Sequence, residues 1–239
     1  MKVSIITATY NSSNTIIDTL TSLENQSYKN IEYIIIDGAS KDNTLEIIKK
    51  YSTKVSKIIS EPDKGIYDAL NKGIEVSTGD IIGFLHSDDI LAYPTAIEDL
   101  VNTLMNEQSQ AIYADLEYVS KENTSNVVRR WISGNYKHSN LKKGWMPPHP
   151  TFFMKRNLYK QYGSFDLNFK ISADYDSLLR YLWLNNISVS YLPKVVTKMR
   201  VGGESNRSFL NILKKTKEDI LALRTYPKRN CQIIYNDNF

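Results

Sequence analysis

Val3-Ser4-Ile5-Ile6-Thr7-Ala8 and Ile31-Glu32-Tyr33-Ile34-Ile35-Ile36 decide the fold. Both are short runs rich in β-branched residues, and the second stops abruptly at Asp37-Gly38. Runs that are apolar on both faces belong to strands buried on both sides, as in a parallel sheet covered by helices. The segments around them supply the helices. Ile16, Ile17, Leu20 and Leu23 fall at helical spacing within Ser13–Leu23, and Leu45, Ile47 and Ile48 do so within Thr44–Tyr51. Val55–Ser60 reads as a third strand, Ile66–Val76 as a third helix and Asp80–Leu85 as a further strand. This β-α-β-α order predicts an α/β domain, doubly wound and mostly parallel, through about residue 105.

Beyond that point the pattern changes. Ala111–Val119 and Val127–Trp131 flank the polar turn Ser120–Asn126 and predict a β-hairpin. Ser133–Pro150 reads as a loop rich in aromatic and basic residues, closed by Pro147-Pro148. Residues 155–163 and 174–185 read as helices and Val189–Leu192 as a short strand. Gly202-Gly203 is a flexible break before a helix over Ser208–Leu223, and Tyr226–Phe239 reads as a loosely held tail. The expected organisation is one domain over 1–205, with halves 1–105 and 106–205, followed by a C-terminal helix and tail over 206–239.

The composition removes several classes of function. The chain has 239 residues, 41% hydrophobic and 23% charged, which is a globular composition. The single cysteine, Cys231, excludes an internal disulfide framework and any cysteine-based zinc cluster. Thirty basic residues against twenty-six acidic ones leave a net charge of +4. That suits an anionic substrate or lipid surface, and nucleic acid is not expected as a partner. No apolar run approaches the roughly 18 residues a membrane-spanning helix needs. The N-terminal run is also too short for a signal peptide. The expected location is therefore cytoplasmic, with peripheral contact at the inner membrane face left open.

In an open parallel sheet, ligands bind outside the carboxyl ends of the strands. The residues at those ends are Thr7, Thr9 and Asn11, then Asp37, then Glu61, Asp63 and Lys64, and finally His86-Ser87-Asp88-Asp89. Any one of these has an ordinary reading as a turn or cap residue. Four strand ends carrying carboxylates and hydroxyls together favour a site. Asp88-Asp89 is the sharpest feature, because adjacent carboxylates repel unless a cation or hydrogen bonds lie between them. Mg²⁺ and Mn²⁺ prefer oxygen ligands and share them with substrate phosphates. A G-x-G-x-x-G fingerprint after the first strand, a Walker A loop and a G-x-S-x-G elbow are all missing from the sequence.

These segments, in this order, resemble the family 2 glycosyltransferases of the GT-A fold. The resemblance rests on Val3–Asn11, on Ile34–Thr44, on Asp63–Gly73 and on Gly79–Leu85 leading into His86-Ser87-Asp88-Asp89. It continues through His149-Pro150, Gly163–Asp166 and Ser172–Arg180, so that it covers roughly residues 1–205. It looks nearest to bacterial transferases of the colanic-acid and O-antigen type. Two positions depart from the family pattern. His86 stands where Asn is common, and Ala173 stands where Glu often precedes the catalytic acid.

The resemblance implies roles. Thr7, Thr9, Asn11 and Asp37 would hold the nucleotide, with Asp37 at the edge of the base. Lys64 would approach the phosphates, Asp88 the ribose or donor sugar, and Asp89 the Mn²⁺ or Mg²⁺ on the diphosphate. Asp174 would be the general base. The reaction would be inverting transfer from a nucleotide sugar, UDP ahead of GDP, to a glycan or lipid-linked oligosaccharide acceptor. Trp145, His149 and Asp176 are candidates for contact with acceptor or donor sugar, although aromatics of the 131–150 segment serve equally well as packing. The loop Gly202–Arg207 is read as closing over the diphosphate with Arg200 or Arg207, ahead of the alternative that it is an ordinary exposed connection. The basic stripe Lys214, Lys215 and Lys217 suits an anionic membrane, but such a helix more often covers a core. Competing readings are a non-catalytic nucleotide-sugar or glycan-binding protein and a sugar nucleotidyltransferase. The second usually carries a glycine-rich N-terminal loop, and Thr7–Ser13 holds no glycine.

Overall fold

The computed structural model describes residues 1–141, 144–202 and 214–226. Its first half alternates strand and helix: β1 (Val3–Thr9), α1 (Ile16–Glu24), β2 (Ile31–Asp37), α2 (Thr44–Tyr51), β3 (Val55–Ser60), α3 (Ile66–Val76), β4 (Ile81–Phe84). A two-residue strand, β5 (Ile90–Leu91), and α4 (Ala96–Asn106) lead to the hairpin β6 (Ala111–Val119) and β7 (Val127–Trp131). Then follow α5 (His138–Leu141), β8 (Phe153–Lys155), α6 (Arg156–Tyr162), α7 (Ala173–Leu178), β9 (Val189–Arg200) and α8 (214–226).

Among the described residues the strands form one sheet in the order β3-β2-β1-β4-β8-β6-β9-β5, with β7 added on β6. β3, β2, β1 and β4 run parallel to one another, and β6 and β9 run parallel to each other. β8 enters antiparallel between β4 and β6. The fold is thus mixed α/β with a mostly parallel sheet.

Strand periodicity splits the core between the two faces. Ile6, Ile34, Ile36, Ile82 and Phe84 lie on one face with Leu70 of α3. Val3, Ile5, Tyr33, Ile35 and Ile81 lie on the other with Ile16 and Leu20 of α1 and Leu100 of α4. This explains why β1 and β2 read as continuous apolar runs. Gly83 carries no side chain because the Phe153 ring of β8 occupies that space: an added Cβ would lie 2.2 Å from Phe153 Cε1.

Four departures from the sequence reading have physical causes. β9 spans twelve residues rather than stopping at Leu192. Ala114 pairs with Leu192 and Asp115 with Val195, so Pro193 and Lys194 bulge out of the ladder and the proline needs no donor there. β8 begins three residues after Pro150, between the stretches read as loop and helix, and takes the first residue of that expected helix. The helix expected over 174–185 is α7 followed by a wider π-type turn over Leu179–Leu184. Tyr226, assigned to the tail, is buried at the end of α8 with Ala222, while Ile220 and Leu221 are exposed. The remainder of that expected helix and tail, with Phe209, Ile212 and Leu213, lies outside the described residues. Among the described residues no helix is long and apolar enough to cross a membrane.

Candidate active site

The carboxyl ends of β1 and β4 and the start of α3 enclose a crevice of about 270 Å³, lined by Thr9, Tyr10, Ser12, Asp63, Gly65, Ile66 and Ser87. Gly65 has φ +117°, a left-handed conformation that glycine tolerates, and it turns the chain into α3. Asp63 Oδ1 accepts the Gly65 N–H at 2.8 Å, and its other oxygen lies over Gly38, where a Cβ would come within 2.6 Å. Gly38 therefore lets the β2 and β3 turns approach each other at the crevice rim.

The predicted nucleotide residues divide by position. Thr9 is buried on the crevice, and its hydroxyl has no partner among the described residues. Thr7 is two residues earlier and wholly inside the sheet, with Oγ1 donating to Leu85 O at 2.5 Å beside the Tyr33 hydroxyl. It braces the ends of β1 and β4 and does not open on the crevice. Asn11, at φ +49°, receives the Lys41 N–H on Oδ1 and donates its own N–H to Ser40. Asp37 is fully buried, with Oδ2 accepting Ser40 N–H at 3.0 Å and Ser60 Oγ at 2.6 Å and Oδ1 taking the Ser40 hydroxyl. Its oxygens are thus engaged inside the turn. Lys64 is exposed beside the crevice.

The His86–Asp89 segment is a tight turn closed by Asp89 N–H on His86 O at 3.0 Å. Hydroxyls of α1 and the segment before it pin the turn: Thr19 on Asp89 O at 2.7 Å, Thr15 on Ser87 O at 2.9 Å, and Ser12 against Ser87 at 2.9 Å. Arg200, only 5% exposed, holds the turn from behind through Asp88 O at 2.7 Å and an ion pair with Asp18. That ion pair leaves Arg200 committed to the fold and corrects its expected part in loop closure; Arg207 lies outside the described residues. Asp88 is partly exposed, and its carboxylate has no partner among the described residues. Asp89 is buried, neither of its oxygens has a partner among the described residues, and burial holds its pKa well above the usual carboxylate range, against the pull of Arg200.

Described residues offer no cluster of three side-chain ligands for a metal. Mg²⁺ is commonly held by only one or two carboxylates, with substrate phosphates and water completing the shell. An open Asp88 next to an Asp89 that has no donor among the described residues fits such an oxygen-liganded cation.

Asp174 lies in the first turn of α7, where Tyr67 of α3 reaches it. The Tyr67 hydroxyl donates to Ile171 O at 2.6 Å and approaches Asp174 Oδ1 at 3.2 Å. Asp174 Oδ1 also accepts the Tyr175 N–H at 2.9 Å. Burial raises the Asp174 pKa, and these two hydrogen bonds hold it back. Asp176 is placed apart: Oδ1 accepts from Tyr226 at 2.6 Å and Oδ2 faces Arg180 at 3.3 Å. Two residues along a helix turn a side chain to nearly the opposite face, which separates the roles of these two acids.

On the other flank, His149 stacks on Phe84 at 5.2 Å and lies 5.9 Å from the His86 ring. Burial and His86 lower the His149 pKa to about 3, and its Nε2 has no partner among the described residues. Phe165 touches Phe84, His149 and Tyr67 at 5.4–5.6 Å and so connects the β4 end to the Asp174 side. Trp145 packs against Tyr113 and Tyr136, His138 against Trp183, and Trp131 against Tyr118. The aromatics of this segment are spent on packing to that extent. Tyr67 was not identified from sequence as a site residue. Its signal was its place next to Ile66 in the Asp63–Gly73 segment.

The architecture is that of an α/β enzyme with a crevice at the carboxyl ends of its parallel strands. The chain belongs to the family described as Glycosyl transferase family 2, whose sequence model matches residues 4–164, and it is a glycosyltransferase. It is 29% identical over 186 residues to an uncharacterized glycosyltransferase of Mycobacterium tuberculosis, covering 74% of this chain and 68% of that one. It is 28% identical over 208 residues to a PGL/p-HBAD biosynthesis glycosyltransferase of Mycobacterium bovis, covering 85% and 78%. Among solved structures it is similar to S. aureus TarS 1-349 in complex with UDP-GlcNAc, with TM-score 0.70 and 22% identity over 84% of this chain and 58% of that one. It is also similar to the mannosyltransferase PcManGT from Pyrobaculum calidifontis in complex with GDP-Man and Mn²⁺, with TM-score 0.66 and 16% identity over 92% and 64%. The chain spans 37% of the longer TarS chain that it matches.

Proposed function

We propose that this enzyme transfers a sugar, with inversion, from a nucleotide-sugar donor to a glycan or lipid-linked oligosaccharide of a bacterial surface polysaccharide. UDP is the favoured donor nucleotide and GDP the alternative. The observation that carries the reading is the start of α3. Gly65 and Ile66 line the crevice, and the next residue, Tyr67, is bonded to the segment bearing Asp174. One helix end thus links the crevice to the half-buried carboxylate of Asp174. TarS in complex with UDP and UDP-GlcNAc, PcManGT with GDP-Man, and the PGL/p-HBAD relative support the donor class and the cell-surface setting.

In this reading residues 1–105 bind the donor and 106–205 face the acceptor. Thr9 and the exposed ring of Tyr10 meet the nucleotide. Asn11 and Asp37 shape the turns around it, Lys64 reaches its phosphates, and His149 and Trp145 lie toward the sugars. Asp88 and Asp89 would hold Mg²⁺ or Mn²⁺, which when bound offsets the negative charge gained by the leaving diphosphate. The acceptor oxygen bonds to the anomeric carbon as the bond to the donor phosphate breaks. The acceptor proton passes to Asp174, and the electron pair leaves with the nucleoside diphosphate. A positioned base contributes roughly 10²–10⁴-fold. A lipid-linked acceptor would bring the enzyme to a membrane surface.

The test is nucleotide release from a panel of UDP- and GDP-sugars with wild type and Asp174→Asn. Release with one donor, lost by about 10²-fold or more in the variant, is expected. Asp174→Asn turning over at the wild-type rate would remove the base assignment. Tight glycan binding without any release would favour the non-catalytic reading.

A further inference from the structure

The segment just before Asp174 is held from two sides. Tyr67 of α3 takes the carbonyl of Ile171. Glu218 of α8 takes the amides. Its Oε2 accepts the N–H groups of Ile171 and Ser172, each at 2.9 Å, and both its oxygens lie 3.1 Å from Lys170 N. Three consecutive backbone donors therefore converge on one half-buried carboxylate, and charge-assisted bonds of this kind are the stronger class. α7 begins at the next residue, Ala173, and Asp174 follows it. α8 makes two further bonds to the same stretch. Lys215 O accepts from Ser172 Oγ at 3.4 Å, and the Tyr226 hydroxyl donates to Asp176 at 2.6 Å.

We infer that Glu218 is a positioning residue for the transfer reaction: docked on the 170–172 amides, it fixes the approach of Asp174 to the acceptor hydroxyl. The inference rests on Asp174 being the base. Glu218 is not among the residues lining the crevice, so its influence runs through the backbone leading into α7. A base moved by about 1 Å loses on the order of 10²-fold in rate, while donor binding in the crevice, which Glu218 does not line, has no reason to change.

The experiment is a double-mutant cycle with the donor that turns over in the panel above. Glu218→Ala and Glu218→Gln are made in wild type and in Asp174→Asn. For each, kcat, donor KM, calorimetric affinity for UDP and GDP, and melting temperature are measured. Glu218→Ala is expected to lower kcat roughly 10- to 100-fold with donor KM and nucleotide affinity unchanged. Glu218→Gln, which keeps one acceptor and serves if the Ala variant undocks α8, should fall between. In the Asp174→Asn background the same substitution should cost nothing further, because the base it aims is gone. Unchanged kcat in both Glu218 variants overturns the inference, and so does an equal loss in both backgrounds. Asp174→Asn at wild-type rate is a different result: it rejects the base reading itself, and Glu218 falls with it.

Discussion

Replacing Tyr67 by Phe removes one oxygen and keeps the ring against Phe165, 5.4 Å away. The hydroxyl has a single proton, shared between Ile171 O at 2.6 Å and Asp174 Oδ1 at 3.2 Å. The carbonyl holds the shorter and stronger share. A full hydrogen bond to a charged group is worth about 1.5–3 kcal/mol, so the longer arm to Asp174 is assigned about 1 kcal/mol. That corresponds to about a fivefold loss in kcat if the bond matters only in aiming the base. The pH profile moves in a defined direction. The Tyr67 bond lowers the pKa of Asp174, so its loss raises that pKa and shifts the acid limb of kcat to higher pH. The assay is initial rates of nucleotide release between pH 4 and 9, with calorimetric nucleotide affinity as the control for folding. An acid limb that stays in place, or moves to lower pH, refutes the reasoning; so does a loss confined to donor KM.

Three further predictions follow from other parts of the molecule. Burial raises the Asp174 pKa, so the protonated acid is favoured in the fold and its stabilisation is lost as pH rises through the folded-state pKa. Asp174→Asn should therefore melt higher than wild type at pH 7, with the gap closing below about pH 4, and a lower melting point at pH 7 would contradict this. Glu32 has the opposite sign: burial alone would raise its pKa, but hydrogen bonds from Ser4, Thr78 and Lys2 hold it at about 2. Its contribution is complete above the unfolded-state value near 4.5 and lost as pH falls toward 2, a loss that acid titration of Glu32→Gln should not show. Gly83→Ala drives a methyl into the buried Phe153 ring and should cost about 1–3 kcal/mol, read as a lower denaturation midpoint with unchanged denaturant slope.

The strands and helices of the first half were legible because each carries its own period. β1, β2 and β4 are apolar on both faces and α1 and α2 repeat at helical spacing, so local pattern and tertiary position agree. β8 and the far end of β9 were not legible for the opposite reason. Phe153–Lys155 is three residues long and joins the sheet only because β4 and β6 leave a gap between them. The strand expected over Val189–Leu192 runs on past Pro193 because the bulge opposite Ala114 and Asp115 gives the proline a place.

At the site, residue type was readable and partnership was not. Thr7 and Thr9 share a strand face and a residue type, yet one braces the β1–β4 ends and the other opens on the crevice. What separates them is where the sheet stops. The engagement of Asp37 depends on Ser40, a local neighbour, but also on Ser60, which only the β2–β3 pairing brings close. Glu218 lies far along the chain from the amides it binds, in a segment whose local pattern describes only an amphipathic helix.

Calorimetric titration of UDP into the enzyme with Mn²⁺ and with EDTA tests the central claim most directly, since it asks whether the crevice at the β1 and β4 ends binds a nucleoside diphosphate through a cation. The account predicts binding with Mn²⁺ that weakens strongly with EDTA and in Asp88→Asn. Binding of neither UDP nor GDP under any of these conditions would contradict it.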